Sequence, residues 1–414
     1  MECSRADIVR WKKEIRKELW DQVRMDKTST DEEILELIEK VLWEKSRDTY
    51  ISVTTRQKIQ KEVFNSLRRL DILQELLEDE SITEIMVNGW KNIFIEREGR
   101  ISRYEKEFES VERLEDIVQQ IAASANRRIN ERDPIMDACM PDGSRINVVL
   151  PPIAVDGPIV TIRRFSKEPM TMEKLIALGA LDEEVACFLR KLVVARYNIL
   201  ISGGTGSGKT TFLNALSQFI PSGERIVTIE DSRELNLSKI ENLVTLEARN
   251  ANVEGENQVS IRDLIKTALR MRPTRIIIGE VRDGAAFDML QAMNTGHDGS
   301  ISTAHANSPK DMLSRLESMV IMGVDLPIEA IRRQVGLAVD IIIHLGRLRD
   351  YTRRVLEIQE VYLDGDGNIR TQTLYEFKEE GVEESGRIIG RLEAMKTPLR
   401  QRRKLERAGL SEDG

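Results

Sequence analysis

One short stretch constrains this chain more than any other. Gly203-Gly-Thr-Gly-Ser-Gly-Lys-Thr210 follows the apolar run Asn198-Ile-Leu-Ile-Ser202 and precedes Thr211-Phe-Leu-Asn-Ala-Leu216, which has a helical pattern. A strand, a glycine-rich turn ending in Lys-Thr, and a helix form the unit that wraps a nucleotide's phosphates. The glycines let the backbone turn so that successive N–H groups point at phosphate oxygens. The helix N-terminus adds a favourable dipole. This assigns Gly203, Gly204, Thr205, Gly206, Ser207, Gly208, Lys209, Thr210 and Thr211 to a nucleoside triphosphate. Lys209 would reach the β- and γ-phosphates and the Thr210 hydroxyl would ligate Mg²⁺. ATP and Mg²⁺ are therefore the expected cofactors.

Such a unit needs a sheet around it, and the sequence supplies one. From about 171 to 350, short apolar runs alternate with helical patterns: 198–202, 225–229, 275–278 and 300–303. That alternation predicts an α/β domain with a parallel sheet wrapped by helices. Two of the runs end in acids. Arg275-Ile-Ile-Ile-Gly-Glu280 has the shape of a Walker B element, with Glu280 near the Mg²⁺ water shell. Ile226-Val-Thr-Ile-Glu-Asp231 offers Glu230 or Asp231 to polarise the attacking water, the other supporting the loop. His297 and His305 bracket the 300–304 run and are candidate γ-phosphate sensors, whereas His344 reads as a strand residue without a role.

The rest of the chain has two other textures. Residues 1–75 carry three helical stripes: Ile8, Trp11, Ile15 and Leu19; Ile34, Leu37, Ile38, Val41 and Leu42; and Ile59, Val63, Leu67 and Leu70. After Thr28, Thr30 with Glu33 makes a capping box between the first two. Residues 76–170 mix short strands with a helix over 111–129 and turns at Gly89 and Pro141-Asp-Gly-Ser-Arg145, an α+β domain. Beyond 350, two strands flanking Asp364-Gly-Asp-Gly-Asn368 predict a β-hairpin. A calcium loop is excluded there, since Ile369 and Tyr375 stand where Gly and Glu are needed. The polar end from Lys396 is expected to fray. The predicted domains are thus a helical bundle (1–75), an α+β domain (76–170) and a P-loop domain with hairpin and tail (171–414).

Composition narrows the job. Lys and Arg total 62 against 70 Asp and Glu, a net charge of -8, which argues against a nucleic-acid coat. Cys3, Cys139 and Cys187 are far apart and suggest neither a disulfide framework nor a zinc site. No signal-peptide core and no run long enough to cross a membrane is read, so a cytoplasmic location is expected.

The ordered set GGTGSGKTT, TIED, RIIIGEVRD and MNTGHDGSISTAHANSP resembles the type II/IV secretion ATPase superfamily, whose Asp box and His box the second and last match. EIMVNG at 84–89, PDGSRINVVLPP at 141–152, TIRRF at 161–165 and AMNTGHDGS are similar to its tight-adherence (Flp) pilus branch, the CpaF/TadA-like proteins. The similarity spans about 50 to 410. The resemblance implies a homo-hexameric ring of RecA-like motors with ATP between two domains. Glu230 would be the catalytic carboxylate, Glu280 the Walker B one, and His297 and His305 the His-box pair. Arg145 and Arg163 would meet the phosphates, with Arg164 the fallback for the second. A guanidinium there stabilises transition-state charge, by about 10³–10⁵ in rate. Two departures stand out: the four-cysteine zinc site of some pilus-extension and type II relatives is absent, and the Leu67-Arg-Arg-Leu segment replaces a Gly-Pro-Leu-rich stretch.

The expected function is an ATPase at the inner face of the cytoplasmic membrane. It would couple Mg-ATP hydrolysis to pilus assembly or retraction through a polytopic inner-membrane platform protein, without binding nucleic acid directly. The alternatives are a type IV secretion traffic ATPase moving protein or DNA, a nucleotide-binding scaffold without turnover, and a nucleic-acid motor on the same core.

Overall fold

The computed structural model describes residues 5–25, 29–47, 49–97, 99–164, 170–237, 239–249 and 257–411. Cys3, Thr28 and Phe165 of the sequence reading lie outside these residues, as does the side chain of Ile8. The chain forms two compact units, Met1–Ser166 and Lys167–Gly414.

The first unit opens with three helices, α1 (Arg5–Met25), α2 (Asp31–Lys45) and α3 (Val53–Arg68). Their apolar stripes face one another around Trp11, Ile15, Leu19, Ile34, Ile38, Leu42, Ile59 and Val63. The expected capping box is reciprocal: Glu33 N–H donates to the Thr30 hydroxyl, and Thr30 N–H donates to the Glu33 carboxylate. After α4 (Ile72–Glu78) come β1 (Ile82–Asn88), β2 (Asn92–Arg97), β3 (Arg100–Arg103), α5 (Val111–Ser124), β4 (Ile135–Cys139), β5 (Arg145–Val149) and β6 (Ile159–Arg163). The strands lie in the order β3-β2-β1-β6-β5-β4, paired antiparallel. Alternate residues such as Ile85, Val87, Ile146, Val148, Val160 and Ile162 point to one face and pack with Leu114, Ile117, Val118 and Ile121 of α5. The helix expected over 111–129 stops at Ser124, where Asn126 takes a positive φ of 53°.

The second unit holds α6 (Met172–Ala177), α7 (Glu183–Val194), β7 (Ile199–Gly203), α8 (Lys209–Ser217), β8 (Ile226–Glu230), β9 (Leu243–Glu247), α9 (Ile261–Ala268), β10 (Arg275–Ile278), α10 (Ala285–Asn294), β11 (Ile301–His305), α11 (Pro309–Gly323) and α12 (Ile328–Ala338). It ends with β12 (Ile341–Arg347), β13 (Arg353–Leu363), β14 (Ile369–Val382), β15 (Ile388–Ala394) and α13 (Arg403–Arg407). Its sheet runs β15-β14-β13-β12-β7-β11-β10-β8-β9. The strands from β12 to β9 are parallel and those from β13 outward antiparallel. Strands β7, β8 and β10 are buried at every residue, as parallel strands covered on both faces must be. Each face has its own core, one centred on Leu189, Ile199, Leu213 and Ile343, the other on Leu200, Val227, Met289 and Leu316.

Two features differ from the sequence reading. The hairpin forms, but β13 also pairs with β12 and β15 extends it, so it belongs to the main sheet. The C-terminal stretch does not fray through residues 399–410: Leu399 and Leu405 are buried in the motor core, and Tyr197 donates its hydroxyl hydrogen to the Gln401 carbonyl at 2.5 Å. The reason is long-range, since its anchors are some two hundred residues earlier in the chain.

Candidate functional site

Because β7, β8, β10 and β11 run parallel, their C-terminal ends open on one edge, where open α/β sheets bind ligands. At that edge β7 ends in Gly203. A Cβ there would sit 2.5 Å from the Leu345 carbonyl oxygen and 2.6 Å from Ser207 Oγ, so no side chain fits. The loop then turns through Gly208, which caps α8 in the left-handed conformation at φ 91°. No side chain caps α8, whose first turn holds Thr210 and Thr211, so its N-terminal N–H groups are left as potential anion donors. Ser207 donates to the Gly204 carbonyl at 2.9 Å and tightens the loop.

Lys209 is buried beneath this loop. Its ammonium donates to the carbonyls of Gly203 (3.1 Å) and Gly204 (3.0 Å) and approaches His305 Nδ1 at 3.2 Å. An ammonium has no acceptor, so Nδ1 must accept and the imidazole is neutral. Burial pushes the His305 pKa down and the Lys209 charge adds to this, against the pull of Glu280. On the ring's other side, Nε2 lies 3.1 Å from Glu280 Oε1. That oxygen is buried with no aligned hydrogen-bond partner among the described residues. Glu280 Oε2 accepts from Arg282 at 2.9 Å, and Arg282 also stands 3.7 Å from Asp231. A cavity of about 880 Å³ opens over these groups, lined by Gly204, Thr205, Glu280, Arg282, His305 and residues of α11.

The sequence-selected residues divide into those gathered here and those placed elsewhere. Lys209, Glu280 and His305 come together. Glu230 stands close by, but its carboxylate lines neither this cavity nor the smaller one beside Asp231. It lies over Gly279, where a Cβ would meet Glu230 Cγ at 3.0 Å, and accepts the N–H groups of Glu234 and Leu235, both at 2.9 Å. Asp231 is the exposed one of the pair. His297 is separated from His305. It precedes β11, hydrogen-bonded to the Ala292 carbonyl at 3.3 Å, while His305 ends the strand. Five strand residues at about 3.3 Å each put the two histidines at opposite ends of β11, and only His305 stands beside Lys209 and Glu280.

In the first unit, Arg145 and Arg163 are direct cross-strand partners on β5 and β6. Arg164, the fallback, is spoken for: its guanidinium holds the carbonyls of Asp79 and Ile82. One residue given no role has a place near the site. His344 is buried, 2.9 Å from the hydroxyl of Ser202, the residue before the loop. Only the β12–β7 pairing reveals this, and no local pattern carries it.

The donor set suits Mg²⁺. This ion takes one or two carboxylates, phosphate oxygens and several waters rather than a protein cage. Thr210 at the start of α8 and the orphaned oxygen of Glu280 are oxygen donors of that kind. No helix among the described residues is long and apolar enough to cross a membrane.

Residues 67–392 match the family model for type II/IV secretion system protein. VirB11, a type IV secretion system protein of Brucella suis, is 36% identical over 323 residues, 71% of this chain and 89% of that protein. A putative conjugal transfer protein of Mycobacterium tuberculosis is 34% identical over 310 residues, 73% of this chain and 87% of the relative. The crystal structure of the Brucella suis VirB11 ATPase with sulphate aligns at a TM-score of 0.39 and 32% identity, over 70% of this chain and 96% of that one. The chain belongs to the type II/IV secretion system protein family, as a P-loop ATPase.

Proposed function

We propose that this ATPase works as a homo-hexameric motor of pilus assembly, of the tight-adherence kind, acting at the inner face of the cytoplasmic membrane through a polytopic platform protein. The observation that carries the motor reading is the convergence of Lys209, His305 and Glu280 at the end of β7, β11 and β10. Lys209 gives hydrogen bonds to the loop's own carbonyls. A triphosphate offers it charged acceptors instead, and charge-assisted bonds are about twice as strong as neutral ones. Drawing Lys209 out removes the hydrogen bond to His305 Nδ1, so nucleotide occupancy is passed to Glu280 through the imidazole. Mg²⁺ would be held by Thr210 and, through water, by Glu280, and it supplies neutralisation of charge on the β- and γ-oxygens.

Glu230 is proposed as the carboxylate that orients water once nucleotide binding rearranges the 231–235 loop. Arg145 and Arg163 are proposed to stabilise the transferring phosphoryl charge, adjacent on one pair of strands so that one rigid body carries both. The pilus assignment is supported by the segments EIMVNG, PDGSRINVVLPP and AMNTGHDGS. A second reading, a type IV secretion traffic motor for protein or DNA, is favoured by the similarity to the VirB11 and conjugal transfer proteins.

Turnover of the purified chain decides between them. Stimulation by the membrane partner in vesicles, with loss of pili when Lys209→Ala replaces the native chain, is the expected result. Stimulation by DNA, with pili intact, would overturn the pilus reading and favour traffic.

A further inference from the structure

We infer that the cavity-facing side of α11, with Arg315 at its centre, holds orthophosphate on its way out of the nucleotide site. The inference rests on the reading of the Gly203–Thr211 loop as an Mg-ATP cradle and adds a site for the product that the cradle gives up.

The period of one helix builds this site. Asp311, Ser314, Arg315 and Ser318 fall at steps of three and four along α11, so they share a face. All four are exposed and line the cavity of about 880 Å³ opposite Glu280 and His305. On the other side of the helix Met312, Leu316, Met319 and Val320 are buried in the core. The apolar side thus fixes which side chains α11 turns to the cavity.

The wall is fastened at both ends. At its start Ser308, three residues after His305, accepts the Asp311 N–H at 3.0 Å, and Pro309 follows in the first turn. At its end Gly323 lies against Gly284, which is four residues after Glu280. A Cβ on Gly284 would sit 2.5 Å from Gly323 Cα, and a Cβ on Gly323 would sit 2.6 Å from the Gly284 carbonyl oxygen. Neither position has room for a side chain. The helix is therefore tied to the two segments that carry His305 and Glu280.

Hydrolysis leaves ADP on the loop and frees orthophosphate at the end where the γ-phosphate lay, beside His305 and Glu280. The cavity opens on that side and α11 is its far wall. Of the two arginines that line it, Arg282 is engaged by carboxylates, donating to Glu280 at 2.9 Å and standing 3.7 Å from Asp231. Arg315 stands on the far wall, and its charge is felt at the γ end. Burial holds the His305 pKa down, Lys209 adds to this, and Arg282 and Arg315 add further, against Glu280. A guanidinium fork suits phosphate oxygens. The Ser318 hydroxyl donates to the Ser314 carbonyl at 3.0 Å, a neutral bond that a charged acceptor outcompetes. Glu280 and Asp311 set carboxylates against the same anion. The hold is consequently weak, as a product site requires.

Equilibrium binding of orthophosphate to the full chain saturated with Mg-ADP, at constant ionic strength, tests this. Arg315→Ala should bind orthophosphate about tenfold more weakly, the loss of one charge-assisted donor. Its affinities for Mg-ADP and Mg-ATPγS should stay within a factor of two, and its melting temperature should not move, because the position is exposed. Arg315→Gln, which keeps the length of the stem, should match it. Arg315→Lys should lose only about threefold, since the charge stays and the fork goes. Wild-type orthophosphate binding by Arg315→Ala and Arg315→Gln would overturn the inference, as would a wild-type Mg-ADP complex that takes up no orthophosphate. A parallel loss of Mg-ATPγS affinity would place Arg315 on the bound γ-phosphate and overturn the product site too. All three outcomes leave the cradle intact, whereas absence of Mg-ADP binding by the wild type would bring down both.

Discussion

At the residue scale, the informative contrast is between two glutamates that look alike in sequence. Each follows an apolar strand, yet Glu280 lines the cavity while Glu230 turns back to cap a loop. Substitution by Gln separates the roles, because its carbonyl still accepts the N–H groups of Glu234 and Leu235 while the base is lost. Glu230→Gln should bind Mg-ATP within about threefold of wild type and turn it over at least about a hundredfold more slowly, the usual range for a lost general base. Filter binding and phosphate release measure the two. A fully active Glu230→Gln would leave Glu230 as a loop cap alone. The strand-end carboxylates were legible in sequence because each follows an apolar run. Which one lines the cavity was not, since that depends on Gly279 leaving room for the Glu230 side chain. His344 gives a pH prediction of definite sign. Burial pushes its pKa down, with Lys209 adding to this and Glu357 and Asp311 opposing. The unfolded chain then binds the proton more readily than the folded one, so this contribution to stability is complete above the ordinary histidine pKa and lost as pH falls below it. The melting temperature should fall between pH 7.5 and 5.5, and fall less in His344→Gln. An equal fall in both proteins would show that His344 is not responsible.

At the scale of elements, the P-loop unit and the alternating strands were readable because each is a local pattern. The C-terminal stretch was not. Its sequence is polar and locally basic, and it is held by groups that only the fold brings near. Lys404 on α13 bonds to Asp340 at 2.5 Å, to Asp298 at 3.2 Å and to the Arg196 carbonyl at 3.3 Å. Asp340 is buried and also accepts the Asn198 N–H at 2.7 Å at the head of β7. Burial raises its pKa and the Lys404 charge works against that. This strap therefore ties the chain's end to the start of the strand that carries the nucleotide loop. Lys404→Met keeps the stem and removes the charge, leaving a buried carboxylate without its counter-ion. Breaking such a pair costs about 3 kcal/mol, which for a domain this size is roughly a 6–12 °C loss in melting temperature. Adding Asp340→Asn should recover most of it, since the amide oxygen still accepts from Asn198 and no charge is buried. Thermal melts of the single and double variants check this. A double variant no more stable than Lys404→Met would show that the strap acts through packing instead.

At the scale of the whole molecule, the arginines singled out by family resemblance belong to the first unit, and its sheet decides how each is presented. Family resemblance named Arg145 and Arg163 from their motifs. The sheet of the first unit makes them neighbours across β5 and β6, a fact that no spacing in sequence conveys, because the two strands are joined through a loop and pair antiparallel. It also separates Arg163 from Arg164, which are indistinguishable by composition. Successive strand residues point to opposite faces; Arg163 ends β6 exposed, and Arg164 reaches back to the carbonyls of Asp79 and Ile82 beneath α4 and β1. The two alanine variants should consequently fail in different ways. Arg163→Ala should keep its melting temperature and its Mg-ATP affinity, since binding rests on the loop and Lys209, while its turnover drops by about 10³, the range for a guanidinium that stabilises phosphoryl-transfer charge. Arg164→Ala should lose stability, because two carbonyls lose a charged donor worth about 1.5–3 kcal/mol per bond, while the molecules that stay folded turn over ATP near the wild-type rate. Melting temperature, nucleotide affinity and active-fraction-corrected turnover of both variants decide the matter. The reverse pattern would place Arg164 at the phosphates. Equal and unimpaired turnover in both would remove the first unit from the chemistry.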